Sequence, residues 1–237
     1  MAEADQPARA IRVATYNIHG GVGIDRRFAP ERIVRVLKEI DADVVALQEV
    51  QTHAHLGTFE YLRAETGMNL IAAPTMPLGD GQFGNALLTR LPVTASTRID
   101  LSLPGREPRV AIDATLDAGG TPLRVIATHL GLRPSERQIQ IERLLDAVRT
   151  QPNLLTVLMG DLNEWFMSRR ALRRLHEHFG EPPAPATYPS LLPLFALDRI
   201  WCSPASALRS VRPHRSRVAR VASDHLPVVG EVAARDS

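Results

Sequence analysis

The chain has 237 residues, 44% of them hydrophobic and 23% charged, with a formal charge of +2 and one cysteine. That length fits one domain, expected over residues 10–233 with residues 1–9 and 234–237 as loose ends. A single thiol, Cys202, excludes a disulfide framework, no apolar run reaches the roughly 18 residues of a membrane span, and the opening Met1–Pro7 stretch lacks the pattern of a secretory signal. The reading is a soluble, cytoplasmic, globular protein.

Apolar runs over residues 11–18, 43–50, 85–89, 110–116, 123–129, 154–159, 196–202 and 226–232 predict strands. Pro30 is placed to open a helix through residue 40, with Ile33, Val34, Leu37 and Ile40 on one face. Ser135 and Gln138 form a capping-box pattern before a helix carrying Ile141, Leu144, Leu145 and Val148. Ser168 is a candidate cap for a further helix with Leu172, Leu175 and Phe179. Several strands follow one another without a helix between them, so the expected class is mixed α/β with much antiparallel pairing. Residues 182–193 form a proline-rich loop.

Polar side chains gather at the ends of these strands: Asn17, Gln48-Glu49, Thr128-His129, Asp161-Leu162-Asn163, Asp198 and Asp224-His225. A carboxylate within an apolar strand is costly unless something pairs with it. Alone, each is an ordinary turn or strand-end residue, and Asp198 with His225 could be a structural pair; together they predict one polar pocket at one rim of the sheets. Carboxylate and amide oxygens suit a hard cation such as Mg²⁺ or Mn²⁺, whereas zinc would call for cysteines or closely spaced histidines. A hard cation beside histidines and a free carboxylate suits phosphoryl chemistry. No nucleophile elbow, phosphate-binding P-loop or dinucleotide loop is present. Gly20-Gly21-Val22-Gly23 reads as a turn near the site, and the His53/His55 and His176/His178 pairs read as solvated.

Seven segments also carry a resemblance: Thr15-Tyr16-Asn17-Ile18-His19-Gly20, Leu47-Gln48-Glu49-Val50, Gly84-Asn85-Ala86, Thr128-His129-Leu130, Gly160-Asp161-Leu162-Asn163, Leu197-Asp198-Arg199-Ile200 and Ser223-Asp224-His225-Leu226-Pro227. In this order, from residue 11 to residue 232, they resemble the endonuclease/exonuclease/phosphatase (DNase I-like) superfamily. The resemblance implies a four-layered α-β-β-α sandwich, two packed mixed sheets flanked by helices. It implies Glu49 as the principal Mg²⁺ ligand, with Asn17 and Asp224 beside it and Mn²⁺ able to substitute. Asp161 would activate water, and Asn163 and His225 would hold the transition-state phosphate. Asp198 would orient His225, while His129 and Asn85 would contact the phosphate.

Substrate class has to come from the surroundings. Trp165-Phe166-Met167 and the run from Thr187 to Phe195 bring apolar groups near the site, although Trp165 and Leu191 are expected first as core. Arg209, Arg212, Arg215, Arg217 and Arg220 precede Asp224 and could meet a phosphate backbone, or simply form a solvated edge. Tyr16-Asn17-Ile18-His19-Gly20-Gly21 resembles lipid-active relatives more than abasic-site repair enzymes. The expected activity is a Mg²⁺-dependent phosphodiesterase on a phospholipid or other small diester, ahead of a DNA or RNA nuclease. A phosphomonoesterase and a non-catalytic phosphate-binding domain are the readings from other classes. Apolar residues near the rim also raise peripheral membrane contact or a dimer.

Overall fold

Strands that are apolar at nearly every position can be buried on both faces, and the central strands of this chain are. The computed structural model describes residues 10–52, 57–165 and 172–234. The chain runs β1 (Ala10–Asn17), α1 (Pro30–Ile40), β2 (Val44–Gln51), α2 (Thr58–Thr66), β3 (Asn69–Leu78), β4 (Gly81–Thr89), β5 (Val93–Asp100) and β6 (Val110–Asp117). It continues through β7 (Pro122–His129), α3 (Pro134–Arg149), β8 (Leu155–Asp161), α4 (Arg173–Phe179), β9 (Asp198–Ser203), β10 (Leu208–Pro213), α5 (Ala219–Ala222) and β11 (Val228–Ala233).

The strands form two mixed sheets, ordered β10-β11-β1-β2-β4-β3 and β5-β6-β7-β8-β9. Because side chains alternate along a strand, each central strand feeds two cores. Val13, Val44, Ala46 and Leu87 face Ile112, Val125, Val157, Met159 and Ile200 between the sheets. Their neighbours Ala14, Tyr16, Val45 and Leu47 face outward onto α1, α2 and α5. On the second sheet Ile126, Leu158 and Trp201 pack outward on α3 and α4. The result is the four-layered α-β-β-α sandwich.

One parallel pair at the heart of each sheet positions the site. β1 and β2 run parallel with Asn17 beside Gln48, joined through α1. β7 and β8 run parallel with His129 beside Asp161, joined through α3. A parallel crossover returns the chain so that both carboxyl ends emerge at one rim, where ligands of such sheets bind. Gly160 permits the close approach of β8 to β7: a Cβ there would collide with the backbone of Thr128.

Three strands escaped the apolar pattern. β3 and β10 are the edges of the first sheet and β5 is an edge of the second. β3 carries Pro74 and Pro77, and β5 is exposed along most of its length, as edge strands tolerate. Helix α2 was also unforeseen. α1 falls where Pro30 placed it, whereas the Ser135–Gln138 cap is not the one used. α3 begins at Pro134 with Arg133 as its N-cap, and the Glu136 carboxylate accepts from the Arg133 N–H at 2.9 Å, because proline at the first helical position fixes the start. Ser168, Phe166, Met167, His53 and His55 lie outside the described residues.

Candidate active site

The rim holds a cavity of about 380 Å³. Its floor is Glu49, His129, Asp161, Asn163, Asp224 and His225, and its walls include Met76, Leu78 and Phe83 from the β3–β4 hairpin, with Leu132, Trp165 and Tyr188. Asn17 and Asp198 lie buried behind the floor.

Glu49 reaches the floor through a backbone irregularity. The β2–β4 register shifts between Leu47 and Val50, and Glu49 itself has φ +55°, a region that non-glycine residues seldom adopt and that clusters at functional sites. Asn163 has φ +51°, which asparagine accepts more readily. There its backbone N–H donates to Asp161 Oδ1 at 2.9 Å.

Asn17 joins the two sheets. Its Nδ2 donates to Glu49 Oε1 and to Asp161 Oδ2, both at 3.0 Å, while its Oδ1 accepts from the His19 N–H at 3.0 Å. The segment before β11 is tied in by Ser223, whose hydroxyl donates to the Asn17 carbonyl at 2.8 Å. Two carboxylates sharing one neutral amide leave negative charge in excess. Burial raises the Glu49 pKa, the Asn17 hydrogen bond opposes that, and Asp161 and Asp224 raise it further. A group so placed favours a cation beside it.

Two histidines flank Asp161 and carry opposite charge states. His225 Nδ1 lies 2.8 Å from Asp198 Oδ2, which also accepts from the Thr187 hydroxyl at 2.6 Å. Burial alone would lower the His225 pKa, but the Asp198 carboxylate, with Asp161 and Asp224, lifts it to about 10. This ring is an imidazolium, with Nε2 3.8 Å from Asp161 Oδ2. His129 is the reverse: burial first, then the Arg109 guanidinium, holds its pKa down at about 3. Arg109 Nη1 lies 2.9 Å from His129 Nδ1, and a guanidinium can only donate. His129 is therefore neutral, and both of its nitrogens face donors. Nε2, 3.6 Å from Asp161 Oδ2, lies 3.0 Å from Asn163 Nδ2, which also donates to the Leu130 carbonyl at 2.9 Å, so the neutral ring accepts from only one of the two.

Among the described residues, Asp161, Asp198 and His225 form a group of potential ligand atoms within 4.8 Å of one another, a candidate metal site. Within it, His225 Nδ1 and Asp198 Oδ2 are spent on each other. The Glu49 carboxylate, tied to Asp161 through Asn17, offers hard oxygens of the kind that suit a hard cation; Asp224 lines the same cavity.

The structure thus brings Glu49, Asp161, Asn163, Asp224, His129 and His225 to one cavity, with Asn17 and Asp198 directly behind. Asn85 is not among the lining residues: it is buried on β4 and its Nδ2 donates to the Val110 carbonyl at 3.0 Å, bridging the two sheets. Two expected core residues are not core. Trp165 is half-buried in the cavity wall, its ring 5.1 Å from Tyr188 and 5.4 Å from Phe195. Leu191 is 55% exposed. Arg209, Arg212, Arg215, Arg217 and Arg220 do not line the cavity; Arg212 faces Glu231 at 3.9 Å on the β10–β11 edge.

The run from Thr187 to Phe195, expected only as an apolar neighbour, contributes more: Thr187 bonds Asp198 and Tyr188 stands 5.0 Å from the His225 ring. Arg109 was not among the expected site residues. It precedes β6, which runs antiparallel to β7, so the start of β6 lies beside the end of β7, and an arginine directly before an apolar strand is the signal that marks it.

Residues 14–225 match the model of the Endonuclease/Exonuclease/phosphatase family. The Escherichia coli K12 protein YbhP is 30% identical over 247 aligned positions, spanning 94% of this chain and 96% of YbhP. Among solved structures, the endonuclease/exonuclease/phosphatase from Beutenbergia cavernae DSM 12333 superposes with a TM-score of 0.77 at 24% identity, covering 95% of this chain and 72% of its own. The human Nocturnin catalytic domain superposes at 0.70 with 22% identity, covering 94% of this chain and 92% of its own. The two structural likenesses bear on the fold; with the match across residues 14–225 and the full-length likeness to YbhP, they establish that the chain belongs to the endonuclease/exonuclease/phosphatase family.

Proposed function

We propose that the protein is a Mg²⁺-dependent phosphodiester hydrolase, with Mn²⁺ able to substitute, acting on a phospholipid or another small diester. The observation that carries this reading is Asp161 held between a neutral imidazole and an imidazolium, with Glu49 tied to it through Asn17. Glu49, with Asn17 and Asp224 directly or through water, would hold the cation, which when bound polarises the phosphoryl group.

The chain's own residues account for the rest. Asp161 Oδ2 accepts a proton from the attacking water as the new O–P bond forms and the P–O bond to the leaving group breaks, the departing alkoxide taking its proton from solvent. The His225 imidazolium, kept charged by Asp198, donates to a phosphoryl oxygen as negative charge accumulates there. The Asn163 amide supplies a neutral donor beside the uncharged His129 ring.

Charge supports a diester over a monoester. Among cavity-lining groups, Glu49, Glu107, Asp161 and Asp224 are acidic, while Arg109 and His225 are the cations. One divalent ion would bring this set close to neutrality, a setting for a singly charged diester rather than a polyphosphate. The apolar walls support a lipid or other small diester over nucleic acid. The nuclease reading draws on Trp165 and Tyr188, whose rings could stack a base.

The test is hydrolysis with Mg²⁺ or Mn²⁺ of plasmid DNA, abasic DNA, short RNA, phospholipid vesicles and inositol phosphates, with chelator and Asp161→Asn as controls. Metal-dependent lipid cleavage without nucleic-acid cleavage bears the reading out. Cleavage of DNA or RNA instead reverses the substrate order, and silence on every substrate with metal bound favours a non-catalytic phosphate-binding domain.

A further inference from the structure

Water-exposed leucines on a well-ordered turn are costly to display, and this chain displays them on the turn that follows Tyr188 of the cavity wall and, as Leu132, in the wall itself. Leu192 is 68% exposed, Leu194 66% and Leu132 61%. The turn that carries the first two is closely bonded. The backbone N–H of Leu194 and that of Phe195 donate to the Tyr188 carbonyl at 2.8 and 2.9 Å, Leu192 N–H donates to Pro189 at 3.1 Å, and Ser190 N–H donates to the Asp224 carbonyl at 2.7 Å. So the leucines do not hang on a loose segment that could fold back over them. They form the tip of a turn fastened to the backbone of Asp224 on the cavity floor.

The tip grades into the cavity through aromatic groups. Phe195 touches Trp165, Trp165 touches Tyr188, and Tyr188 stacks near His225. Leu132 and Leu78 line the cavity from other walls. From outside inward the order is leucine, tryptophan and tyrosine, then the charged floor. Amphipathic aromatic rings between an apolar and a polar zone mark side chains at a bilayer interface. Cations flank the tip: Arg220 Nη1 donates to the Leu191 carbonyl at 3.1 Å, and exposed Arg133 follows Leu132.

We infer that this mouth docks on a phospholipid bilayer: Leu132, Leu191, Leu192 and Leu194 enter the boundary between head groups and acyl chains, so that a diester in the membrane meets Asp161. Whatever covers an apolar mouth must also let substrate in. A second copy of this chain would bury the leucines but close the cavity. A nucleic-acid backbone would leave the leucines in water beside few cations. A bilayer covers the rim and carries the phosphodiester in the same surface. The inference rests on the reading of the site as a phosphodiester hydrolase, and its test separates the two.

The full chain and its Leu192→Glu/Leu194→Glu variant are compared in two assays. One is co-sedimentation with phosphatidylcholine–phosphatidylglycerol vesicles in chelator, which needs no catalysis. The other is hydrolysis, with Mg²⁺, of the soluble diester bis(p-nitrophenyl) phosphate and of the same vesicles. The expected result is co-sedimentation of the wild type, reduced about tenfold or more in the variant, with vesicle hydrolysis falling in step and soluble-diester hydrolysis unchanged. Wild type that stays in the supernatant, or a variant that sediments equally well, overturns the docking surface. So does a dimer by light scattering that the variant converts to monomer, which would assign the leucines to self-association. Failure to cleave either the soluble diester or the vesicles while wild type still sediments would sink the hydrolase reading and leave the docking result standing.

Discussion

Arg109 Nη1 lies 2.9 Å from His129 Nδ1, so the guanidinium adds to burial in opposing a charge on the imidazole. Glu107 Oε1, 3.2 Å from Nη2, holds the guanidinium in turn. Arg109→Met, with the cation gone, should let the ring protonate more easily. Loss of a partner that orients a site ligand typically costs about tenfold to a hundredfold in activity. The expected outcome is a kcat decrease of that order, with the His129 ring titrating at higher pH in NMR spectra. An unchanged His129 titration would remove Arg109 from this role.

Glu49 and Asp161 share the Asn17 amide but are assigned different work, and two substitutions separate them. Glu49→Ala should abolish both turnover and Mn²⁺ binding measured by calorimetry. Asp161→Asn should lower kcat by about a thousandfold, within the usual range for a lost general base, while Mn²⁺ still binds. Near-normal turnover in Asp161→Asn would identify another base.

The two histidines give opposite pH signatures in metal-free protein. Burial works against the charge on His225, but Asp198 raises its pKa to about 10 from an ordinary 6.5. A raised folded pKa contributes stability that is complete below about pH 6.5 and is lost as pH climbs toward about 10. His129 lies at about 3, below its ordinary 6.5, so its contribution is complete above about pH 6.5 and is lost as pH falls toward about 3. With chelator present, NMR should show neither ring titrating between about pH 5 and 8. In Asp198→Asn burial prevails, and His225 should become neutral at pH 7. A His225 still charged at pH 8 in that variant would show that Asp198 is not what holds the proton.

Away from the site, Arg124 is buried and forms a two-pronged pair with Asp113, Nε to Oδ1 at 2.9 Å and Nη2 to Oδ2 at 2.6 Å. It also donates to the carbonyls of Ala147 and Val148 at the end of α3. Arg124→Ala leaves a partly buried carboxylate and helix-end carbonyls without their donor. Breaking such a pair costs about 3–5 kcal/mol, to be read from urea unfolding midpoints. The rate per folded molecule should stay the same, because no cavity-lining residue is touched.

The strands that could be read from the sequence are those buried on both faces. β1, β2, β7 and β8 are apolar at most positions because a sheet packs on one side and a helix on the other, and their polar ends stand out against that background. At the edges the background disappears. β5 has Thr94, Ser96 and Arg98 in water, and β3 carries two prolines, so neither produces an apolar run. The same contrast explains the site. Asn17, Glu49, His129 and Asp161 interrupt or end apolar strands and were visible, whereas Thr187 and Tyr188 sit in a loop where polar and aromatic residues are ordinary. Arg109 precedes a strand rather than ending one, and only the antiparallel register of β6 and β7 brings it to His129. Leu191 was mistaken for core because hydrophobicity does not reveal which side of a turn faces water.

The β1–β11 pairing joins Ala10 to Ala233, almost the full span of the chain. During synthesis β1 must therefore wait for β11 before one of its two neighbours exists. The sheet from β5 to β9 is contiguous in sequence and can be assembled earlier, but it carries only His129, Asp161, Asn163 and Asp198. Asp224 and His225 arrive with the segment that leads into β11. A nascent chain thus holds an incomplete set of catalytic groups until β11 has left the exit tunnel.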